Sequence, residues 1–183
     1  MAGSQIDRIR QLQTEIMRRS PGADIGLLGN PGASRQAIEA AEARLECRLP
    51  PSYRAFLACH DGWPRFFEGA TLLGTANLGR RLYADLAEAT LEASEAPVVE
   101  LLPRSWRRPS PARLLPFGAD LQAATLFAFN PAERDASGEY EVVAWINEIG
   151  LRRPCFESFL ELVAELCEAH LTAKTPPAVA LTA

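Results

Sequence analysis

The chain has 183 residues, 48% apolar and 23% charged, enough to bury a core of its own, and a single domain is expected. Its formal charge of −4 argues against a protein that tracks nucleic-acid phosphates, which needs a basic face, and suits a basic partner. No stretch approaches the ~20 apolar residues of a membrane span, and Met1 to Ser20 interleave apolar side chains with charges, unlike a signal peptide, so a cytoplasmic location is expected.

Ile6, Ile9, Leu12 and Ile16 recur at spacings of three and four, which predicts a first helix with Ser4 as its N-cap and Pro21-Gly22 as its end. The Gly-, Pro- and Asn-rich stretch from Pro21 to Ala33 reads as a loop that separates this helix from the main body. Residues 1–32 are therefore expected to form an N-terminal helix and loop, and 33–171 the main domain. Ser34 is placed to cap a second helix whose inner face is Ala37, Ile38, Ala41 and Leu45, and Leu49-Pro50-Pro51 stops it. Pro51 suits the first turn of a third helix, where its missing N–H costs nothing; Tyr53, Phe56 and Leu57 give that helix a bulky apolar face and Gly62 closes it.

A short strand is expected over Ala70–Gly74 and a fourth helix over Leu78–Ala93, with Leu82, Tyr83, Leu86 and Leu91 facing inward. Residues from about 97 to 113 are rich in proline and carry Arg104, Arg107, Arg108 and Arg113 around Trp106, the composition of an irregular insertion loop. Strands are expected at Leu114–Phe117, Thr125–Phe129 and Tyr140–Ile146, the last two joined by a loop containing Asn130, Pro131, Asp135, Ser137 and Gly138. A last helix runs from Phe156 to Leu171 on the stripe Phe156, Phe159, Leu160 and Val163, and residues 172–183 read as a mobile tail. Helices first and strands later, without βαβ alternation, predict an α+β fold: a mixed or mainly antiparallel sheet packed on one face by helices.

Cys47, Cys59, Cys155 and Cys167 fall in or beside helical segments and read as buried thiols in a reducing compartment. Their spacing is not that of zinc ligands, and no metal or other cofactor is expected. His60 beside Asp61 is the one histidine–acid neighbour pair, but adjacent residues on a helix point in different directions. Phosphate-loop and nucleophile-elbow patterns are missing from the sequence, so a non-catalytic protein is expected.

The run Ala33-Ser34, Ile38, Ala41-Glu42, Leu45, Leu49-Pro50-Pro51-Ser52-Tyr53-Arg54, Phe56-Leu57, His60-Asp61-Gly62-Trp63 resembles the N-terminal signature of the SUKH superfamily. Leu114 to Asp120, Gly138 to Val143 and Phe156 to Phe159 resemble its later strands and last helix. That superfamily includes the yeast cell-wall assembly regulator and many bacterial immunity proteins. The resemblance implies a binder that sits on a toxin domain, often one acting on nucleic acid, and blocks it; the alternative is a regulatory or scaffolding module.

A basic toxin cleft would be met by carboxylates, for which Asp61, Asp120, Glu139 and Glu141 are candidates, and by aromatic anchors, for which Trp63 and Trp106 are candidates. No residue constellation argues for a ligand groove between helices and sheet.

Overall fold

The computed structural model describes residues 2–93, 114–120, 125–146 and 149–173. Its elements in chain order are α1 (Ala2–Arg19), α2 (Arg35–Leu45), α3 (Pro51–Cys59), β1 (Trp63–Phe67), β2 (Ala70–Leu72), α4 (Arg81–Ala93), β3 (Leu115–Ala119), β4 (Thr125–Arg134), β5 (Tyr140–Ile146), β6 (Ile149–Arg153) and α5 (Phe156–Ala173). The six strands form one antiparallel sheet in sequence order, β1 to β6, so the fold is the expected α+β class. Among the described residues no helix is long and apolar enough to cross a membrane.

Strand alternation sends Phe127 and Phe129 to the same face as Val142, Ala144, Phe156, Phe159 and Val163, and there α1, α3 and α5 complete the main core. Tyr53 of α3 sits at its centre, with the rings of Phe56, Phe117, Phe129 and Phe156 at centroid distances of 5.0 to 5.5 Å. Its hydroxyl donates to the Leu73 carbonyl at 2.7 Å, and burial raises the phenol well above its ordinary pKa, so the donor keeps its proton. The intervening residues Leu126, Ala128, Val143 and Trp145 face the other side, where Ala87, Tyr83 and Leu86 of α4 pack on them.

Local chemistry explains several boundaries. Ser34 caps α2 by accepting from the Ala37 N–H at 3.1 Å, as expected. Ser4 does not cap α1, because the helix begins earlier, at Ala2. Pro50 at the N-cap of α3 has no side chain able to cap it, and Glu139 supplies the acceptor from across the fold, taking bonds from Ser52 N at 2.8 Å and Ser52 Oγ at 2.6 Å. Gly118 opposes Phe127 at a bulge in β3; a β-carbon there would lie 2.6 Å from the Phe127 ring, so glycine is required.

Several expectations are corrected. β1 and β6 are strands that the alternation did not predict, and Asn130 and Pro131, read as turn residues, lie within β4, which continues to Arg134 through a register shift. The fourth helix starts at Arg81 and leaves Leu82 60% exposed, while Leu78, just outside it, is buried. Of the four cysteines only Cys167 is buried, and Cys59 is exposed. α5 extends two residues beyond its expected end. The insertion at about 97–113 lies outside the described residues, as does the tail beyond 173.

α1 contributes Ile6, Ile9 and Ile16 to the main core and is tied to α5 by an Arg8–Glu168 ion pair of 2.7 Å. The segment after it is a strap along the body: Gly26 N donates to the Arg65 carbonyl, Asn30 N to that of Gly62 and Ala33 N to that of Leu57, at 2.7 to 2.9 Å. Gly26 is needed for this approach, since a β-carbon would lie 1.9 Å from the Pro64 carbonyl oxygen.

Candidate functional site

α1, α5, the strap, the β1–β2 turn and the end of β3 enclose a cavity of about 350 Å³. Each boundary has a local cause. Pro21 and Gly22 end α1, and the strap's bond to Arg65 lays Ala23, Asp24 and Ile25 beside β1. Phe67 pairs with Ala70 across the two-residue turn Glu68-Gly69, whose φ values of 47° and 74° are those of a type I′ hairpin and place the Glu68 carboxylate at the cavity. Asp120 follows β3, held by its N–H donating to the Thr125 carbonyl at 2.9 Å.

The inner wall is unusual in its polarity. Gln13 is 1% exposed; its Nε2 donates to the Phe66 carbonyl, and its Oε1 is buried without a hydrogen-bond partner. His170 contributes an Nε2 that is likewise buried and unpartnered. Cys167 also lines the cavity, and burial, with lesser contributions from Glu68 and Glu168, pushes its thiol up to about 12. A thiol held neutral in this way is not a nucleophile at physiological pH.

The outer wall is acidic. Asp24, Glu68 and Asp120 line the cavity, and a single point, where a β-carbon of residue 69 would stand, is 3.5 Å from Asp24 Oδ2 and 3.9 Å from Asp120 Oδ2. Glycine at position 69, with its φ of 74°, leaves that volume open. Arg65 Nη1 pairs with Asp24 Oδ1 at 3.1 Å, but both side chains are largely exposed, and such a pair is worth only about 0–1 kcal/mol. Among the described residues no group of three His, Cys, Asp or Glu side chains could hold a metal ion.

Of the six residues singled out in the sequence, the five that are described are not brought together in one site. Asp61 accepts from Thr75 N and, at 2.9 Å, from Thr75 Oγ1, pinning the segment after β2 to the end of α3. Trp63 is fully buried, donates from its indole N–H to the Gly26 carbonyl at 2.6 Å and packs on Phe66 and His60, so its surface is spent on holding the strap. Glu139 caps α3, as described. Glu141 accepts from Asn130 Nδ2 at 3.0 Å and from Arg152, across β4, β5 and β6. Trp106 lies outside the described residues. Of the five that are described, Asp120 alone lines the cavity.

Sequence reasoning missed Gln13, Asp24, Glu68 and His170. One signal was available: Gln13 follows Ile9 by four residues and precedes Ile16 by three, so it occupies the apolar stripe, where a polar side chain is out of place. The others come together only through tertiary packing.

The search of curated proteins found no match to this chain. The family model of the SMI1 / KNR4 family (SUKH-1) matches residues 32–165, well over half of the sequence, beginning at the strap's end and stopping within α5. This chain, with its antiparallel sheet and its Pro50-Pro51 junction between α2 and α3, belongs to the SMI1 / KNR4 family (SUKH-1).

Proposed function

We propose that the chain is a cytoplasmic immunity-type protein that neutralises a cognate, basic toxin domain by one-to-one binding, without chemistry of its own. The observation that carries this reading is its family membership, since SUKH domains are in general non-catalytic immunity or regulatory modules. The net charge of −4 and the convergence of Asp24, Glu68 and Asp120 on one exposed site suit a basic partner, which would gain on-rate and specificity from the opposed charge. Asp120 is the candidate for partner contact because it lines the cavity beside Asp24 and Glu68.

The test is titration of a toxin domain encoded beside this gene with the purified protein, following toxin activity. Activity should fall linearly to its floor at one equivalent. The charge reversal Asp120→Lys should weaken inhibition by about tenfold, with most of the loss in the association rate at low salt. Full toxin activity at a several-fold excess of protein would sink the immunity reading and leave the regulatory module in its place.

A further inference from the structure

We propose that α1 and the strap form an arm that opens as one unit from a body that stays folded, uncovering the α5 face and the β1 edge. Arm opening is independent of the immunity reading, since it concerns how α1 is attached and not what the body binds.

The arm lies outside the part of the chain that the family shares. The matched residues begin at 32, where the strap ends, and the aromatic cluster of Tyr53, Phe56, Phe117, Phe129 and Phe156 is made wholly within them. α1 is an outer layer, packed chiefly on α5 and more lightly on α3. It adds Ile6, Ile9 and Ile16 to a core whose aromatic centre does not depend on them.

Docking of this layer is poorly compensated. Gln5 Oε1, Arg10 Nε and Gln13 Oε1 on α1, and His170 Nε2 on α5, are buried without a hydrogen-bond partner, whereas among the described residues α2, α3 and α4 contribute no such atom. These groups give up water when the arm docks and regain it when the arm lifts, so all of them favour opening. The cavity of about 350 Å³ interrupts the same interface, between Gln13 and Ile16 of α1 and Cys167 and His170 of α5, and such a gap forfeits dispersion contacts on both walls. The Arg8–Glu168 pair is 45% exposed on both sides, so water weakens it. Burial of the three isoleucines and the Gln13 bond to the Phe66 carbonyl hold the arm down. The balance puts opening well below global unfolding in cost.

The strap follows α1. Ser20 N donates to the Ile16 carbonyl, Ala23 N to that of Ser20 and Ile25 N to that of Ala23, at 2.8 to 3.0 Å, so the last turn of the helix runs into the strap without a free joint.

The protein carries its own reporter of opening. Cys167 is 2% exposed beside the arm, and Cys59 is exposed at the end of α3. Iodoacetamide labelling of the full chain, read peptide by peptide by mass spectrometry, should modify Cys59 at once and Cys167 at a rate set by arm opening. Amide hydrogen exchange should show α1 and the strap exchanging together, about tenfold or more less protected than β4 and β5.

Gly26→Ala forces the strap away from the Pro64 carbonyl oxygen, which a β-carbon would approach to 1.9 Å. It should speed Cys167 labelling by about tenfold or more while protection of β4 and β5 is unchanged. Gln5→Leu and His170→Leu each remove one unpartnered atom and should each slow that labelling by about tenfold. Equal protection of α1 and β4, with Cys167 labelled only as fast as the body unfolds, would overturn the proposal. So would Gly26→Ala protein that loses β4 and β5 protection in step with α1, or Gln5→Leu and His170→Leu proteins that label as fast as the parent. A chain that inhibits its toxin but shows no arm opening would keep the immunity reading and lose this one.

Discussion

Tyr53 and Gln13 are both buried polar side chains on the face of the sheet that α1, α3 and α5 cover, and the protein treats them in opposite ways. The Tyr53 hydroxyl donates to the Leu73 carbonyl inside a shell of four aromatic rings, and the nearby α3 terminus has its donors satisfied by Glu139. Gln13 satisfies one end of its amide and leaves the other buried without a partner. A satisfied buried polar group specifies a core, whereas an unsatisfied one carries an uncompensated desolvation cost. The comparison separates a polar group whose burial is fully compensated from one whose burial is only half compensated.

The largest effect should come from breaking the satisfied side. Tyr53→Ala removes a fully buried ring from the centre of the core and should cost about 3–5 kcal/mol in urea denaturation. A loss below about 1 kcal/mol would mean that the ring cluster is not the centre of stability. Gln13→Leu sharpens the contrast, since it is equally buried but discards an orphan acceptor together with one hydrogen bond. Its stability should stay within about 1 kcal/mol of the parent, because the two losses offset each other. A cost as large as that of Tyr53→Ala would show Gln13 to be a core residue of the same kind, and the comparison would collapse.

The Tyr53 region was legible in sequence and the Gln13 region largely was not, for a physical reason. Ser34, Pro51, Tyr53 and Phe56 act through contacts a few residues away or through sheer apolar area, and both leave periodic traces. β1 hid its identity because Pro64 and a left-handed Arg65, with φ of 49°, bulge the strand and break its alternation. β6 hid behind Gly150, a residue without β propensity, where a β-carbon would make a tight 3.2 Å contact with the Trp145 ring.

The carboxylates were the hardest to read. Asp61 and Glu139 look like surface charges in a sequence, yet their partners, Thr75 and Ser52, are 14 and 87 residues away. Asp24, Glu68 and Asp120 meet only because the strap, a hairpin and the end of β3 are folded onto one another.

The smallest effect concerns how α1 is held at the cavity end. Glu15, on the exposed side of the helix, bonds Arg18 and Arg19 at 2.6 to 2.7 Å, and those bonds lower its carboxyl from 4.5 to about 2. Arg19 also donates to the Leu171 carbonyl at 3.1 Å, so the same network touches the end of α5 beside His170. Because the folded carboxyl is more acidic than the unfolded one, the stabilisation is complete above about pH 4.5 and is lost as pH falls toward about 2. Thermal melts of the parent and Glu15→Gln should therefore differ by a small constant margin at neutral pH, and the margin should close across that acidic window. Exposure makes the effect salt-sensitive, so added salt should shrink the neutral-pH margin. A margin that persists undiminished below pH 2, where the carboxyl is protonated, would show that the charge of Glu15 is not what its bonds to Arg18 and Arg19 depend on, and the electrostatic account of this end of α1 would fail.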